Sequence, residues 1–76
     1  MKKYIDLISS DHNILLGKPV IKGTRISVEL ILRKLSQGAT MNALLEMYPS
    51  LNLKQIQAAM AYAADSLANE EILITV

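Results

Sequence analysis

The hydrophobic positions of this 76-residue chain change their spacing near residue 26. Before that point, short apolar runs alternate with turn-forming Gly, Pro, Ser, Asp and Asn residues. After it, apolar residues recur at i, i+3, i+4 and i+7, as in amphipathic helices. The pattern predicts a single domain over 1–76, with an extended and turn segment over 1–26, a tri-helical core over 27–70 and a C-terminal strand over 71–76.

Each predicted helix starts after a residue that caps helix N-termini well. Ser27, Thr40 and Asn52 can each accept a hydrogen bond from a backbone N–H of the first turn. Gln55 follows Asn52 by three residues, which is the arrangement of a capping box, where each side chain bonds the other residue's backbone N–H. These caps predict the starts of all three helices.

The ends of the helices and their apolar positions are also marked. We expect the first two helices to end at Gly38 and Pro49. The apolar stripe of the third helix is predicted to be Leu53, Ile56, Met60, Ala63 and Leu67. Helices two and three, with a short connection between them, suit a helix-turn-helix, although any small three-helix bundle has a similar pattern.

Short extended segments flank the helices. Val20-Ile21 follows Pro19 and is predicted to be extended, because β-branched residues between turn formers favour a strand. The uncharged tail over 72–76 is expected to pair with a strand of this chain or of another. The predicted fold class is mainly α, a three-helix helix-turn-helix bundle with short N-terminal and C-terminal β-strands.

Composition restricts the functions open to so short a chain. Hydrophobic residues make up 51% of it, yet Phe, Trp and Cys are absent, so no disulfide or Cys/His metal site can stabilise it. Exposed apolar patches usually contact other proteins, and we expect a homodimer, a higher oligomer or one half of a complex. The single His, His12, lies in a polar turn with no oxyanion hole in reach. We therefore predict no enzymatic activity, no catalytic residue, no metal and no cofactor.

The net charge of +1 conceals an asymmetry. Residues 1–34 hold seven Lys/Arg and three acids, a net charge of +4, whereas residues 35–76 hold one Lys and four acids, a net charge of −3. The basic half indicates a face toward nucleic acid or an acidic partner. No apolar run approaches the roughly 20 residues that span a bilayer, so we expect a cytoplasmic protein without membrane contact.

A loop with three cations is the first candidate binding site. The loop over 17–25 superficially resembles a phosphate-binding loop, but its two glycines are six residues apart and Thr24 follows Gly23 directly, without the Lys that such a loop has between them. Either Lys18, Lys22 and Arg25 stay in solvent around tight turns, or they and Thr24 contact a phosphodiester backbone. Both interpretations stay open.

The predicted third helix is the second candidate site. Amide side chains suit adenine edges, and Lys suits guanine or phosphate. The polar residues near the start of this helix are Asn52, Lys54, Gln55 and Gln57. A solvated helix face uses the same residues, so DNA binding and simple solvation are both possible. If DNA is bound, Arg33 and Lys34 of the first helix are expected to add phosphate contacts.

The string G-K-P-V-I-K-G-T-R-I-S-V at residues 17–28, followed by Tyr48-Pro49 and Ala61-Tyr62-Ala63, closely resembles a small bacterial family, domain of unknown function four-three-three. The resemblance implies a winged or homeodomain-like helix-turn-helix that dimerises. It also implies the role of a type II antitoxin of the VapB type, encoded beside a PIN-like ribonuclease toxin that it inhibits. Such antitoxins typically bind their own operator DNA as well.

Two functional hypotheses follow. In the first, the chain is a dimeric antitoxin and transcriptional autorepressor, with paired third helices about 34 Å apart on double-stranded operator DNA. In the second, it is a protein–protein interaction module without DNA binding, which the single cation of the third helix favours. Arg25 fits either hypothesis, because it can contact DNA or stabilise the fold by bonding Glu29 or a helix carbonyl.

Overall fold

The computed structural model describes residues 6–68, and these form three helices preceded by a pair of short strands. The elements are β1 (Ile8–Ser9), β2 (Val20–Ile21), α1 (Val28–Ser36), α2 (Met41–Met47) and α3 (Leu53–Ala68). The predicted mainly helical class, with three helices and short N-terminal strands, is confirmed. The C-terminal strand predicted over 71–76 lies outside the described residues.

The predicted N-terminal caps are present at all three helices. The hydroxyls of Ser27 and Thr40 each accept a hydrogen bond from the backbone N–H three residues later, at 2.9 and 3.0 Å. Asn52 and Gln55 form the capping box: each side-chain oxygen accepts from the other residue's backbone N–H, at 2.9 and 2.8 Å. A cap of this kind contributes typically about 1 kcal/mol, so local sequence determines where the helices start.

The first two helices end where predicted. Gly38 follows α1 with a φ of +101°, a left-handed conformation that glycine adopts without strain, and its N–H donates to the Leu35 carbonyl at 3.1 Å. α2 ends just before Tyr48 and Pro49, because proline cannot continue the helical hydrogen bonding.

The two strands attach the N-terminal segment to α1. β1 and β2 pair antiparallel over two residues each. Val20 of β2 also forms a bridge with Ser27, and the N–H of Val28 donates to the Pro19 carbonyl at 3.0 Å. The loop over 17–25 is therefore fixed against the first turn of α1.

The hydrophobic core joins β2 to one face of each helix. Its fully buried large side chains are Val20, Ile21, Ile31, Leu44 and Ile56. Burying an aliphatic side chain of this size stabilises a fold by roughly 1.5–3 kcal/mol. Since Ile31 lies on α1 and Ile56 on α3, the core holds these two helices side by side.

The apolar stripe predicted along α3 is only partly buried. Ile56 is buried, but Leu53 and Leu67 are 45% and 67% exposed, and Ala58 and Ala59 occupy buried positions instead. The reason is length. The 16 residues of α3 extend about 24 Å, whereas the nine of α1 extend only about 14 Å and cannot cover both ends.

Candidate functional site

Side chains from three segments line one depression of about 630 Å³ beside the N-terminal half of α1. Three of the cations predicted to bind DNA lie together here. We call this surface the basic depression, and the residues that define it are Leu15, Leu16, Lys18, Arg25, Glu29 and Arg33.

A strained turn forms one wall of the basic depression. Leu15, Leu16 and Gly17 have consecutive left-handed φ angles of +50°, +58° and +88°, a conformation that costs roughly 1–2 kcal/mol for a residue with a Cβ. The Ser10 hydroxyl donates to the Gly17 carbonyl, and the Gly17 N–H donates to the Ile14 carbonyl at 3.0 Å. These bonds hold the turn in a form that leaves Leu16 87% exposed.

Glu29 fixes two cations of the basic depression. Its Oε1 accepts a hydrogen bond from Nζ of Lys18, and its Oε2 accepts one from the guanidinium of Arg33, both at 3.0 Å. Bonding to Lys18, and then to Arg33, lowers the pKa of Glu29 below its ordinary value of 4.5. Water screens these ion pairs because all three side chains are more than half exposed, so the pairs position the cations more than they stabilise the fold.

Arg25 adds a positive charge that the described residues do not compensate. It forms no hydrogen bond or ion pair with any of residues 6–68. The sequence left open a pairing of Arg25 with Glu29, but that carboxylate is occupied by Lys18 and Arg33. Three cations and one carboxylate give the basic depression a net charge of +2.

An apolar groove lies between α1 and α3, next to the basic depression. Its volume is about 540 Å³, and Lys18, Glu29 and Arg33 border both surfaces, so the ion pairs form a ridge between them. We call this surface the α1–α3 groove, and its defining residues are Val28, Leu32, Ser36, Tyr62, Ala63 and Leu67.

The residues predicted to contact bases lie toward the other end of α3. Asn52 and Gln55 use their side-chain oxygens in the capping box, while Lys54 and Gln57 are exposed. Nine residues, or about 14 Å of helix, separate Lys54 from Ala63 in the α1–α3 groove. The structure therefore does not bring the two candidate sites together.

The other predicted residues lie outside both surfaces. The Thr24 hydroxyl donates to the Ile21 carbonyl at 2.8 Å and accepts from the Ile26 N–H at 3.0 Å, so it closes the turn after β2. Lys22 is exposed on the same turn, and Lys34 is half-buried on α1. A role for these residues in DNA binding stays a prediction.

Two features of the site were not found in the sequence. The spacing of Glu29 and Arg33 is a visible i, i+4 pair, but the approach of Lys18, eleven positions before Glu29, has no local signal. The apolar run that contains Leu15 and Leu16 carries no mark of a left-handed turn apart from the glycine that follows it.

The described surfaces offer charge and apolar contact. Within residues 6–68, no three His, Cys, Asp or Glu side chains lie close enough together to hold a metal ion. His12 is exposed in a turn. Among the helices in that same part of the chain, none combines the length and the apolar character needed to cross a lipid bilayer.

Sequence and structure comparisons place the chain among similar proteins. It is 34% identical over 58 residues to the uncharacterized protein y4eO of Sinorhizobium fredii, a match that covers 76% of this chain and 26% of that protein. The chain thus spans about a quarter of the length of this curated relative. A crystal structure of a DUF433 member protein from Anabaena variabilis superposes with a TM-score of 0.80 and 27% identity, covering 92% of this chain and 69% of that one.

A family model matches most of the chain. Its description is "Protein of unknown function (DUF433)", and the match runs over residues 8–63. That range contains the loop over 17–25, α1, α2 and the first two thirds of α3. The chain belongs to the DUF433 family.

Proposed function

We propose that this chain is an antitoxin that binds and neutralises a PIN-like ribonuclease, and that the basic depression contacts the toxin. The observation that supports this most is the exposed Leu15-Leu16 pair, held in a left-handed turn beside Lys18, Arg25 and Arg33. A protein partner offers apolar and acidic groups together, whereas a phosphate backbone offers nothing apolar to the leucines.

The rigidity of the turn adds to this argument. Leu16 is presented on a backbone that four neighbouring hydrogen bonds hold in place, counting those of Ile14 and Lys18. A side chain already fixed in its binding conformation loses less conformational entropy when a partner covers it. Strain kept at an exposed apolar residue is typical of a binding position.

The identity of the toxin is inferred from the resemblance of residues 17–28 to type II antitoxins, whose toxin genes lie beside their own. A PIN-like ribonuclease encoded next to this chain is therefore the partner to test. Co-expression of the two, followed by co-purification and an RNA cleavage assay, is expected to give one complex with suppressed cleavage.

A pair of leucine variants locates the contact. Leu16→Asn removes the apolar side chain while keeping a residue that adopts left-handed backbone, and it should weaken the complex about tenfold or more, equivalent to 1.4 kcal/mol. Leu53→Asn, at the exposed leucine that starts α3, is the matched control and should leave the affinity unchanged. Undiminished RNA cleavage in the presence of the chain, or an equal loss in both variants, would contradict the proposal.

A second function, repression of its own operator as a homodimer, is favoured by the unpaired cations. Lys22, Arg25, Lys34 and Lys54 form no ion pair with any other part of the described chain. In a two-fold dimer, the two copies would contact double-stranded DNA at points about one helical turn, or 34 Å, apart.

Salt dependence tests the DNA function. Anisotropy titrations with the upstream DNA should show the affinity falling by about 0.9 log unit per log unit of salt for each phosphate neutralised. Arg25→Gln should reduce that slope by about one unit, and Gln57→Ala should leave it unchanged. If no binding occurs at low salt, the chain is a protein–protein interaction module without DNA binding.

A further inference from the structure

We propose that Glu29 sets the selectivity of the basic depression between protein and nucleic acid. By engaging Lys18 and Arg33, its carboxylate leaves the guanidinium of Arg25 to receive a single carboxylate of a protein partner. Nucleic acid, which presents phosphates in series, is thereby disfavoured at this surface. The identity of the favoured partner rests on the proposed function, whereas the effect of Glu29 on polyanions does not.

Both oxygens of the Glu29 carboxylate are occupied by cations from two segments. Oε1 accepts from Nζ of Lys18, just before β2, and Oε2 accepts from the guanidinium of Arg33, one turn further along α1, each at 3.0 Å. The two bonds lower the pKa of Glu29, so the carboxylate is ionised at neutral pH. A phosphate that approached either cation would come within the Debye length of this carboxylate, about 8 Å at physiological salt, and would be repelled by it.

Arg25 differs from these two cations. It is exposed on the turn between β2 and α1, and no carboxylate of residues 6–68 pairs with it. A guanidinium can bond both oxygens of one carboxylate in parallel, and such charge-assisted pairs are the stronger hydrogen bonds in proteins. One acidic side chain is therefore enough to satisfy Arg25.

The apolar wall beside Arg25 determines what accompanies that carboxylate. Leu15 and Leu16 are both exposed and line the same depression of about 630 Å³. Ligand pockets typically measure roughly 300–1,000 Å³, so this surface has room for a few side chains. The segment that fits it carries one acidic residue flanked by aliphatic residues, which cover the leucines.

A nucleic acid needs more than one free cation. Its phosphates follow one another along the strand, and its affinity rises with the number of phosphates that Lys and Arg neutralise. Within the part of the chain that the structure describes, Arg25 alone among the cations of the basic depression has no carboxylate partner. Loss of the charge of Glu29 would free two more cations and make the surface attractive to a polyanion.

Glu29→Gln tests this role in the full chain, with a short DNA duplex of arbitrary sequence as the polyanion. In anisotropy titrations at about 0.05 M salt, the variant should bind the duplex at least about tenfold more tightly than wild type. Its affinity should also fall more steeply with salt, by about one to two additional log units per log unit, because Lys18 and Arg33 then neutralise phosphates.

Three further variants separate the local carboxylate from net charge and from structure. Glu46→Gln makes the same change in net charge on an exposed position of α2, outside the basic depression, and should alter duplex affinity by less than about threefold. Glu29→Asp keeps the negative charge and should stay near wild type. Lys18→Gln and Arg33→Gln, added together to Glu29→Gln, should abolish the gain.

The ribonuclease gives the complementary measurement. Arg25→Gln should weaken its complex about tenfold or more, because the carboxylate of the partner loses its guanidinium. Glu29→Gln should change the same affinity by less than about threefold, since Arg25 is still present. The loss of Glu29 therefore lowers the preference for protein over DNA mainly by strengthening DNA binding.

The two proposals fail separately. An unchanged duplex affinity in Glu29→Gln, or an equal gain in Glu46→Gln, would overturn the role of Glu29, even in a chain that inhibits the ribonuclease. A gain specific to Glu29→Gln in a chain that never binds the ribonuclease would support the role of Glu29 and reject the antitoxin function.

Discussion

The basic depression and the first turn of α3 both contain residues that the sequence predicts to contact nucleic acid, but their polar side chains form different interactions. At α3, Asn52 and Gln55 turn their oxygens onto backbone N–H groups. At α1, the cap is the hydroxyl of Ser27, and the side chains of Lys18, Glu29 and Arg33 form their ion pairs at the surface. At a helix start, a side-chain oxygen that caps the helix is already used, so only the polar groups that form no cap are available to bind a partner.

The two regions also differ in how their leucines are exposed. Leu53 is exposed at the start of α3 on an ordinary helical backbone. Leu16 is exposed on a strained left-handed turn that several hydrogen bonds maintain. Exposure alone is common on protein surfaces, whereas exposure combined with strain singles out the basic depression.

The largest expected difference between the two regions is in how much one aliphatic side chain contributes to the free energy of unfolding. Ile31→Ala, at a fully buried position of α1, should lower the free energy of unfolding by about 2–5 kcal/mol through lost burial and a residual cavity. Leu53→Ala should change it by less than about 1 kcal/mol, since Leu53 is half-exposed. Urea denaturation measures both, and similar losses would contradict the core placement of α1.

Removal of the capping box tests whether Asn52 is structural. Asn52→Ala should lower the free energy of unfolding by about 1 kcal/mol, because the N–H of Gln55 loses its acceptor. Gln57→Ala, one turn further along α3, is the control and should change it by less than about 0.5 kcal/mol. A selective loss of DNA affinity in Asn52→Ala, with no loss of stability, would restore base contact as its role.

Relief of strain should give a smaller effect of opposite sign. Leu16→Asn should raise the free energy of unfolding by up to about 1 kcal/mol, because Asn tolerates the φ of +58° better than Leu. The same variant is expected to bind the proposed toxin more weakly, so stability and affinity should move in opposite directions. A loss of stability in urea would mean that Leu16 packs against the fold.

The smallest expected effect is the pH dependence of the ion pairs of Glu29. The pKa of Glu29 is lowered by Lys18 and Arg33, so its stabilising contribution is fully present above its ordinary pKa of 4.5 and is lost as the pH falls through the folded value. Urea denaturation should show wild type exceeding Glu29→Gln at pH 7, with the difference vanishing in acid. A difference that grows as the pH falls would have the wrong sign.

Helix starts could be predicted from the sequence because capping is local. Ser27, Thr40 and the Asn52–Gln55 pair each involve residues three apart, and all were correctly identified. The exposure of Leu53 and Leu67 could not be predicted, because the period of α3 places both on its apolar stripe, whereas their burial depends on what packs against the two ends of the helix.

The sequence predicted several residues of the candidate site, but not that they lie close together in the fold. The string at 17–28 and the basic charge of the first half predicted Lys18, Arg25 and Arg33 as candidate binding residues. Their convergence depends on non-local bonds, namely the bridge between β2 and the start of α1 and the hydrogen bond from Val28 to Pro19. No periodic pattern or motif in the sequence indicates such contacts, so only the structure shows the basic depression.

The central claim is that partners bind at the basic depression rather than at the first turn of α3. Backbone amide NMR spectra of the full chain, recorded with and without the PIN-like ribonuclease proposed as its partner, test this most directly. We expect the perturbed amides to lie at residues 15–18 and 25–33, with 52–57 unchanged. Perturbations confined to 52–57, with the loop and α1 unaffected, would contradict the account.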